Sequence, residues 1–450
     1  MYNKPFICVV TAILLISSII TACQPTPETQ VVIGIDEDQL LHSTSEQVLN
    51  TSESHPHELQ LTETWVETFH PYEWLSCIAD AHINITGVDT YPVFKFSRSD
   101  FSADTMKNLA NAILIDPIGI RYGEKTKAEI TDELFRVHRG RSDYDANGNP
   151  IWVPYEGQEE DIRILEEQLA AAPDETYTDI HSIDIQMPGE YVYKTSNNKR
   201  WSLSGKDNRI SLSAYDGVVQ PESWVIAGEA YPGEPAGTTL DNVKISYDEA
   251  KEYAEAALEK LNIINMGVAS YEKARILDPY NNTLSEGWQI VLTRCDGNRE
   301  PVDYSAQVNS LLYYESEDFS APPHNEKITL FIDEDGIEYL SWRNHIEIIE
   351  TVNENVEVLP FSEITERIKL AIKLGTAWGD NKNMPPRTYQ INDVKLSNCI
   401  LPVKNEPQHG YLIPVWTVKC TCTIGEFEQY GMLCISAIDG SFVSPLYASN

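Results

Sequence analysis

Serine and lysine occur twice at the spacing that some acyl-transfer enzymes use for a nucleophile and its base. Ser196–Lys199 and Ser270–Lys273 each satisfy S-x-x-K, but the S-D-N and K-T-G boxes that accompany that motif are missing. The G-x-S-x-G elbow of a serine hydrolase is missing as well. Both matches are interpreted as chance, and the first lies in a predicted hairpin turn. The sequence therefore predicts no catalytic residue and no enzyme.

Metal-binding patterns are also incomplete. H-E-x-x-H is missing, and His55-Pro56-His57 lies in a polar N-terminal stretch. The segment 143–149 places oxygen ligands at alternate positions with Gly148, as a calcium loop does, but the twelfth position is Pro154 instead of a bidentate glutamate. We prefer a polar turn over a calcium site, and we expect no metal and no cofactor.

Cysteine usage leaves the state of six residues open. Cys8 lies in the apolar N-terminal run, and the residues that concern the folded chain are Cys77, Cys295, Cys399, Cys420, Cys422 and Cys434. No C-x-x-C pair and no histidine at helical ligand spacing supports zinc. Buried free thiols are the preferred interpretation. One disulfide within the C-terminal sheet is the alternative, since an exported chain can form disulfides.

Aromatic and acidic residues do not single out a ligand site. Nine tryptophans are scattered along the chain, and we expect most of them to be core or half-buried sheet residues. Sixty-nine acidic residues supply too many pairs for a catalytic carboxylate pair to be chosen. The ligand-binding residues are therefore unknown at this stage.

The N-terminus predicts an export signal. Lys4 precedes the apolar run Phe6–Ile20, which is shorter than the roughly twenty residues that a membrane span requires, so it is typical of a signal peptide. Ile20-Thr21-Ala22-Cys23 resembles the lipobox of bacterial lipoproteins, in which the cysteine receives a diacylglycerol and becomes the new N-terminus. The resemblance implies a signal peptide over 1–22, lipidation of Cys23, and localisation at the outer face of the cell membrane. An uncleaved anchor and an ordinary signal peptide are the alternatives.

Charge and length narrow the class of protein. The net charge of −36 predicts repulsion from nucleic acid and from anionic membrane or wall polymers. A solvated acidic surface is the preferred explanation, and attraction to cations or basic partners is the alternative. The 450 residues exceed what one core accommodates and suggest two or three domains. No second run reaches eighteen apolar residues, so membrane attachment depends on the lipid on Cys23 alone.

The chain divides into a tether, an N-terminal domain and two similar C-terminal units. Residues 23–60 are polar and lack periodicity, which predicts a flexible tether. Residues 61–235 predict an α+β domain, with two strands around a turn at 87–89, a helix capped by Ser102, and helices near 126–138 and 158–171. Residues 190–215 predict short strands.

The two units, 236–348 and 349–450, share an order of elements. Each begins with a helix, after Ser246 in the first copy and at Ser362 in the second, and Ser246 and Glu249 form a capping box. Three strands follow, ending in Asp335-Gly336 and Asp439-Gly440. Gly287-Trp288 is matched to Gly410-Tyr411. The order predicts a divergent repeat, with chance similarity of two α+β segments as the alternative.

These units resemble the PepSY domain. The helix opening Tyr247-Asp248-Glu249-Ala250 and the final strand Ile435-Ser436-Ala437-Ile438-Asp439-Gly440 carry the resemblance. Tyr411–Trp416 is also similar to paired-repeat extracellular regulators of cell-wall sensor kinases. Such domains bind or inhibit protein partners outside the cell. The lipobox, Cys23-Gln24-Pro25-Thr26-Pro27-Glu28 and the later architecture together resemble an uncharacterised Firmicutes lipoprotein family, which implies a location and no activity.

The sequence thus predicts an α+β lipoprotein with two PepSY-like α-β-β-β units, which binds or regulates a protein or peptide partner at the cell surface. Exposed sheet edges offer strand addition as the binding mode. Two alternatives stay open: a secreted hydrolase or wall-remodelling enzyme with an unrecognised site, and a solute-binding lipoprotein. The absence of alternating βαβ units argues against the latter. Nucleic acid is excluded as a partner, and the oligomeric state is open.

Overall fold

The fold is described for most of the chain beyond residue 62. The computed structural model describes residues 63–85, 90–122, 125–144, 150–174, 177–215, 223–226, 240–277, 283–296, 301, 309–310, 326–375, 385–403, 406–424 and 427–443. Twenty strands and five helices occur in these ranges. The helices are α1 (Ala103–Ile113), α2 (Lys127–Arg139), α3 (Gln158–Ala171), α4 (Tyr247–Lys260) and α5 (Phe361–Gly375).

The first large sheet, sheet I, joins both ends of the described chain. It contains β1 (Thr64–Tyr72), β2 (Leu75–Ile85), β3 (Val93–Arg98), β13 (Asn309–Ser310), β16 (Ile346–Asn353), β17 (Arg387–Val403), β18 (Glu406–Ile424), β19 (Phe427–Ser436) and β20 (Phe442–Val443). The main order is β1-β2-β17-β18-β19-β13, β20 pairs with β19, and β3 pairs with both β16 and β18. The parallel contact between β2 and β17 brings residues about three hundred positions apart side by side.

The second large sheet, sheet II, has the order β10-β11-β12-β14-β15-β9-β8-β7-β4. Its strands are β4 (Pro117–Tyr122), β7 (Gly189–Thr195), β8 (Arg200–Lys206), β9 (Arg209–Tyr215), β10 (Ser223–Ile226), β11 (Met266–Leu277), β12 (Thr283–Arg294), β14 (Lys327–Asp333) and β15 (Gly336–Arg343). A separate hairpin joins β5 (Arg141–Tyr144) to β6 (Pro150–Val153).

The predicted fold class, an α+β domain followed by two small PepSY-like units, is wrong. The chain is mostly β, with about half of its described residues in two large sheets. The predicted helices do form, so the error lies in the strand partners. The strands near 80–85 and 91–96 do not pair with each other, because β2 pairs with β1 and β17 while β3 pairs with β16 and β18. Strands from the two sides of the predicted domain boundary at residue 235 also pair, since β9 pairs with β15.

Two stretches of the chain nevertheless share one connectivity. α4 is followed by β11, β12, β14 and β15 in sheet II, and α5 by β17, β18, β19 and β20 in sheet I. Gly336 and Gly440 have φ values of 109° and 71° and each ends the turn of an antiparallel hairpin, as predicted. Trp288 pairs with Ile332, four residues before Gly336, and Val415 pairs with Ser436, four residues before Gly440. Aligning the two glycines therefore matches Trp288 to Val415. The sequence match of Trp288 to Tyr411 is therefore displaced by four residues.

Three of the helices, α1, α4 and α5, pack their apolar sides on a sheet. Ala250 and Ala254 of α4 and Met106 and Leu109 of α1 are buried against sheet II, and Ile368 of α5 is buried against sheet I. The capping box fixes the start of α4, since Glu249 N–H donates to Ser246 Oγ at 3.2 Å and Ser246 N–H donates back to Glu249 at 2.9 Å.

A buried carboxylate ties the two sheets together. Glu326, fully buried, is ion-paired with Arg294 of β12 and accepts a hydrogen bond from Trp342 Nε1 at 2.7 Å. Arg294 also donates to the carbonyl of Ile346 in sheet I at 3.1 Å. His345 Nδ1 lies 2.8 Å from the same carboxylate. These contacts fix the end of β12 against sheet I and define the space between the sheets.

Candidate ligand-binding cleft

A cleft of about 620 Å³ lies where sheet II meets sheet I. One wall is formed by α4 and β11 of sheet II, and the floor by β17 and β18 of sheet I. Clefts between structural units are common ligand sites in proteins. The lining residues are Tyr247, Lys251, Glu255, Leu258, Met266, Gly267, Val268, Ala269, Ser270, Tyr271, Glu272, Leu292, Cys295, Pro301, Asp393, Lys395, Ser397, Thr417 and Lys419.

The β11 wall presents its main chain to the cleft. Seven consecutive residues, 266–272, line the cavity. Successive side chains of a strand point to opposite faces, so an unbroken run can line one cavity only if the strand edge faces it. β10 pairs only with residues 274–277 of β11, whereas β12 pairs along the whole strand. Among the described strands, β12 is therefore the partner of residues 266–273.

The start of this edge is closed by Pro301. A Cβ atom on Gly267 would lie 3.0 Å from the Pro301 ring, so the two residues are in close contact. Ala269 is the extra residue where the register of β11 against β12 shifts, and such bulges bend a strand and increase its twist. The part of β11 that faces the cleft beyond this contact thus runs from Val268 to Glu272.

The floor is polar because the strands of sheet I alternate. Val394 and Leu396 face the core beneath α5, so Asp393, Lys395 and Ser397 face the cleft. The neighbouring strand adds Thr417 and Lys419, which pair with Lys395 and Asp393 respectively. Thr417 Oγ1 donates to the carbonyl of Lys395 at 3.1 Å.

Burial and neighbouring charges shift the pKa values of two residues in the floor of the cleft. Burial, followed by the nearby Lys419 ammonium, lowers the pKa of Lys395 to about 8. Burial raises the pKa of Asp393, although Lys419 and His82 oppose the shift. Groups with such shifts in a cleft are candidates for a functional role.

Aromatic rings form the upper rim. Tyr247 of α4 stacks on Tyr271 of β11 with ring centroids 3.8 Å apart, and Trp288 packs against both. Trp288 Nε1 donates to the carbonyl of Ile245 at 2.9 Å, which fixes this group to the start of α4. Tyr271 remains 50% exposed, so it offers part of its ring beside the β11 edge.

A second cavity, of about 310 Å³, lies between α4 and the β14–β15 hairpin. Lys199 Nζ is ion-paired with Glu338 at 2.5 Å inside it, and Trp201 forms part of its wall. Burial raises the pKa of Glu338 to about 7 even though Lys199 opposes the shift. Burial also raises the pKa of Asp333, which accepts a hydrogen bond from Ser285.

In the described part of the chain, the lysines of the two S-x-x-K matches contact groups other than their serines. Lys199 pairs with Glu338, and Lys273 Nζ donates to the carbonyl of Leu240 at 3.5 Å. Ser270 lines the cleft as part of the β11 edge. Asp143 pairs with Arg141, while most of the calcium-like segment, His55, His57 and Cys23 lie outside the described residues.

The six cysteines are buried, and their thiols are not joined in disulfides. Burial raises the pKa of Cys77 to about 12, and it also raises the pKa values of Cys420, Cys422 and Cys434. Cys77 and Cys422 flank Tyr389 across three neighbouring strands. Thiols held protonated in this way are poor nucleophiles.

The tryptophans follow the sequence prediction where their side chains are described. Five of them are buried: Trp65, Trp74, Trp201, Trp342 and Trp416. Trp152 and Trp288 are half-buried. The cleft residues, by contrast, were missed. Alternation within β17 predicts that Asp393, Lys395 and Ser397 share a face, but that pattern also describes a solvated strand face, and nothing local indicates that β11 lies above it.

Within the described residues, no group of three or more histidine, cysteine, aspartate or glutamate side chains is placed to hold a metal ion. The helices described here include none that is both long enough and apolar enough to cross a membrane.

Comparison with known proteins assigns neither a family nor a function to this chain. No protein-family description matches the sequence, and no curated protein matches it. Among solved structures, an uncharacterised protein from Eubacterium rectale is similar, with 15% sequence identity and a TM-score of 0.43. The match covers 91% of this chain and 99% of the other.

Proposed function

We propose that this chain is a lipid-anchored binding protein of the cell surface, which holds an extended peptide or protein segment in the cleft between its sheets. The observation that carries the proposal is the run of seven consecutive β11 residues lining a cavity of about 620 Å³. A strand edge presents main-chain N–H and C=O groups, and an extended segment adds to it through main-chain hydrogen bonds.

Two other edge strands, β1 and β16, suit this role less well. Within the described residues, β1 pairs with β2 alone and β16 with β3 alone. Neither edge lines the cleft. β16 also carries Glu347 and Glu350 and two register shifts, features that protect an edge against added strands. The β11 edge combines main-chain groups that line the cleft with a floor and a rim that can select a side chain.

Attachment to the membrane forms the second half of the proposal. Diacylglycerol on Cys23 would hold the protein at the outer face of the membrane, and the polar stretch 24–60 would let the folded body reach a partner at some distance. The described residues begin beyond this stretch, so the anchor rests on the lipobox resemblance.

The test of strand addition uses main-chain methylation. An array of short random peptides is first screened against the protein, and the strongest binder is resynthesised with N-methyl groups on its odd or on its even residues. Alternate residues of an added strand point their N–H groups toward the edge. We expect one methylated set to abolish binding and the other, as its matched control, to preserve it.

Binding that survives both sets, or that falls equally with both, would rule out strand addition. A complete lack of peptide binding, with uptake of small solutes only, would instead favour the solute-binding alternative.

A further inference from the structure

A third cavity, of about 400 Å³, lies between α2 and the side of sheet II that is turned away from α1 and α4. On β8 and β9, Leu203 and Leu212 are fully buried on the core side of the sheet. Because the side chains of a strand alternate between its two faces, the residues between them point the other way. Four serines line the cavity from that face: Ser202, Ser204, Ser211 and Ser213.

These four residues, the serine patch, form a compact group of hydroxyls. Ser202 pairs with Ser213 and Ser204 pairs with Ser211, so partners across the strands are about 5 Å apart at their Cβ atoms. Neighbours along one strand are about 7 Å apart. The hydroxyl oxygens of Ser204 and Ser211 lie 2.8 Å from each other. A hydroxyl both donates and accepts hydrogen bonds, so the patch can do either toward a ligand.

α2 turns a charged side toward the serine patch. Four residues at spacings of three and four, which place them on one side of the helix, line the cavity: Glu129, Asp132, Glu133 and Arg136. A helix normally turns its apolar side to a sheet. Small serine side chains would let the helix approach closely, but a cavity remains between the two polar surfaces.

The start of α2 is fixed beside the sheet. Glu129 is ion-paired with Arg121 of β4, and it accepts a hydrogen bond from the Thr126 N–H at 2.7 Å as part of the capping box. These contacts hold the helix in place without filling the space above the serine patch. The cavity is therefore a consequence of how α2 is anchored to β4.

Two polar atoms of the helix wall are buried without a partner. Within the described residues, Asp132 Oδ2 and Arg136 Nε are shielded from solvent and have no hydrogen-bond partner. Burial raises the pKa of Asp132, although Arg136 opposes the shift. Leaving such groups unpaired destabilises a protein. Because both side chains line the cavity, a polar molecule bound there can supply the partners.

The charges of the walls do not select an ion of one sign. Two ion pairs, Arg121–Glu129 and Lys125–Glu133, place opposite charges beside each other. The other charged lining residues also carry both signs: Asp132, Arg136 and Glu190. Such a lining suits a ligand that donates and accepts hydrogen bonds without a net charge of its own.

We propose that this cavity binds a neutral saccharide unit, whose hydroxyl groups form hydrogen bonds with the serine patch, Asp132 and Arg136. Each saccharide hydroxyl can donate to a carboxylate, accept from a guanidinium, and do either with a serine. Apolar and aromatic side chains contribute only Val192 and Tyr191 to the lining, which gives a lipid little to contact. The site is separate from the β11 cleft and goes beyond the proposed peptide binding.

The experiment titrates the full chain with a defined set of sugars by calorimetry. The set contains glucose, galactose, mannose and N-acetylglucosamine, a disaccharide of each, sorbitol, and the charged analogues glucuronate and glucosamine. We expect at least one neutral sugar to bind, and to bind more tightly than the charged analogues. A disaccharide that binds more tightly than its monosaccharide indicates the end of a glycan as the ligand, and equal affinities indicate a free sugar. The peptide selected from the array should leave sugar binding unchanged.

Protein variants locate the sugar. Asp132→Asn should weaken its binding about tenfold, and Ser211→Val, which replaces a hydroxyl of the serine patch by methyl groups, should weaken it about tenfold or more. The matched controls lie on β2 of sheet I, where Asp80→Asn is exposed and Ser76→Val is half-buried. Neither control should change the affinity. If Ser211→Val fails to fold, Asp132→Asn decides the matter together with amide hydrogen exchange of the wild type, in which the sugar should protect α2, β8 and β9.

Three results would overturn this site. Failure of every neutral sugar to bind would mean that the cavity holds solvent. Tighter binding of glucuronate or glucosamine would contradict a neutral ligand. Sugar binding that survives both variants, or that the peptide displaces, would place the sugar elsewhere. None of these results bears on strand addition, which is tested by the methylated peptides.

Discussion

Replacing Glu338 by glutamine should remove a pH dependence of the free energy of unfolding. This dependence has the opposite sign to the one that a carboxylate usually causes. Glu338 is only 7% exposed, and burial raises its pKa from the ordinary 4.5 to about 7 although Lys199 lies beside it. The folded state therefore binds this proton more tightly than the unfolded state. The free energy of unfolding that this bound proton contributes at low pH is lost as the pH rises from 4.5 to about 7. At 1.36 kcal/mol per pKa unit, the loss is about 3 kcal/mol.

Urea unfolding at a series of pH values measures this effect. The free energies of unfolding of wild type and Glu338→Gln are compared at each pH, because the difference cancels most other acidic groups. We expect the difference to shift by about 3 kcal/mol in favour of the variant between pH 4.5 and about 7. Glu334→Gln, half exposed on the same hairpin, makes the same change of charge and serves as control. A constant difference, or a shift of opposite sign, would refute the reasoning.

Three further sets of variants test other parts of the protein. Ile368→Ala, at a fully buried position on the side of α5 that faces sheet I, should lower the free energy of unfolding by about 2–5 kcal/mol. Leu258→Ala, at a half-buried position, should cost about half as much, and equal losses would contradict the packing. Gly336→Ala and Gly440→Ala, at positive φ, should each cost about 1–2 kcal/mol, and unchanged urea midpoints would argue against the turns. Cys23→Ala should release the protein from the detergent phase, and retention there at the mature mass would contradict lipidation.

Local structure was predictable because its signals are short. Ser102 accepts a hydrogen bond from Thr105 N–H at 3.1 Å, as its place before an apolar stripe indicates. The glycines at 336 and 440 occupy hairpin turns, since glycine reaches positive φ at little cost. The tethering and lipidation of the N-terminus remain predictions.

Strand partnership was not predictable from the same signals. The strand Leu75–Ile85 has the alternation of a half-buried strand, but nothing within it indicates that its neighbour is β17, far away in the chain. β18 also runs longer than the apolar pattern indicates, because threonine, lysine and cysteine take most positions of Thr417–Thr423 in place of large aliphatic residues. The fold class was wrong for this reason.

The cleft depends on those long-range partners. Lys395 and Lys419 belong to strands that the sequence identifies in part, and only the pairing of β17 with β18 makes them neighbours. Their position opposite β11 depends in addition on the Arg294–Glu326 ion pair, which holds β12 against sheet I. A single sequence contains no local trace of such an arrangement.

Amide hydrogen exchange along β11 tests the central proposal most directly. Exchange is followed in the protein alone and with the peptide selected from the array, with β1 and β16 as internal comparisons. Strand addition in the cleft predicts new protection concentrated between Val268 and Glu272, with no change in β1 and β16. Binding without protection in that stretch, or with protection in β1 or β16 instead, would contradict it.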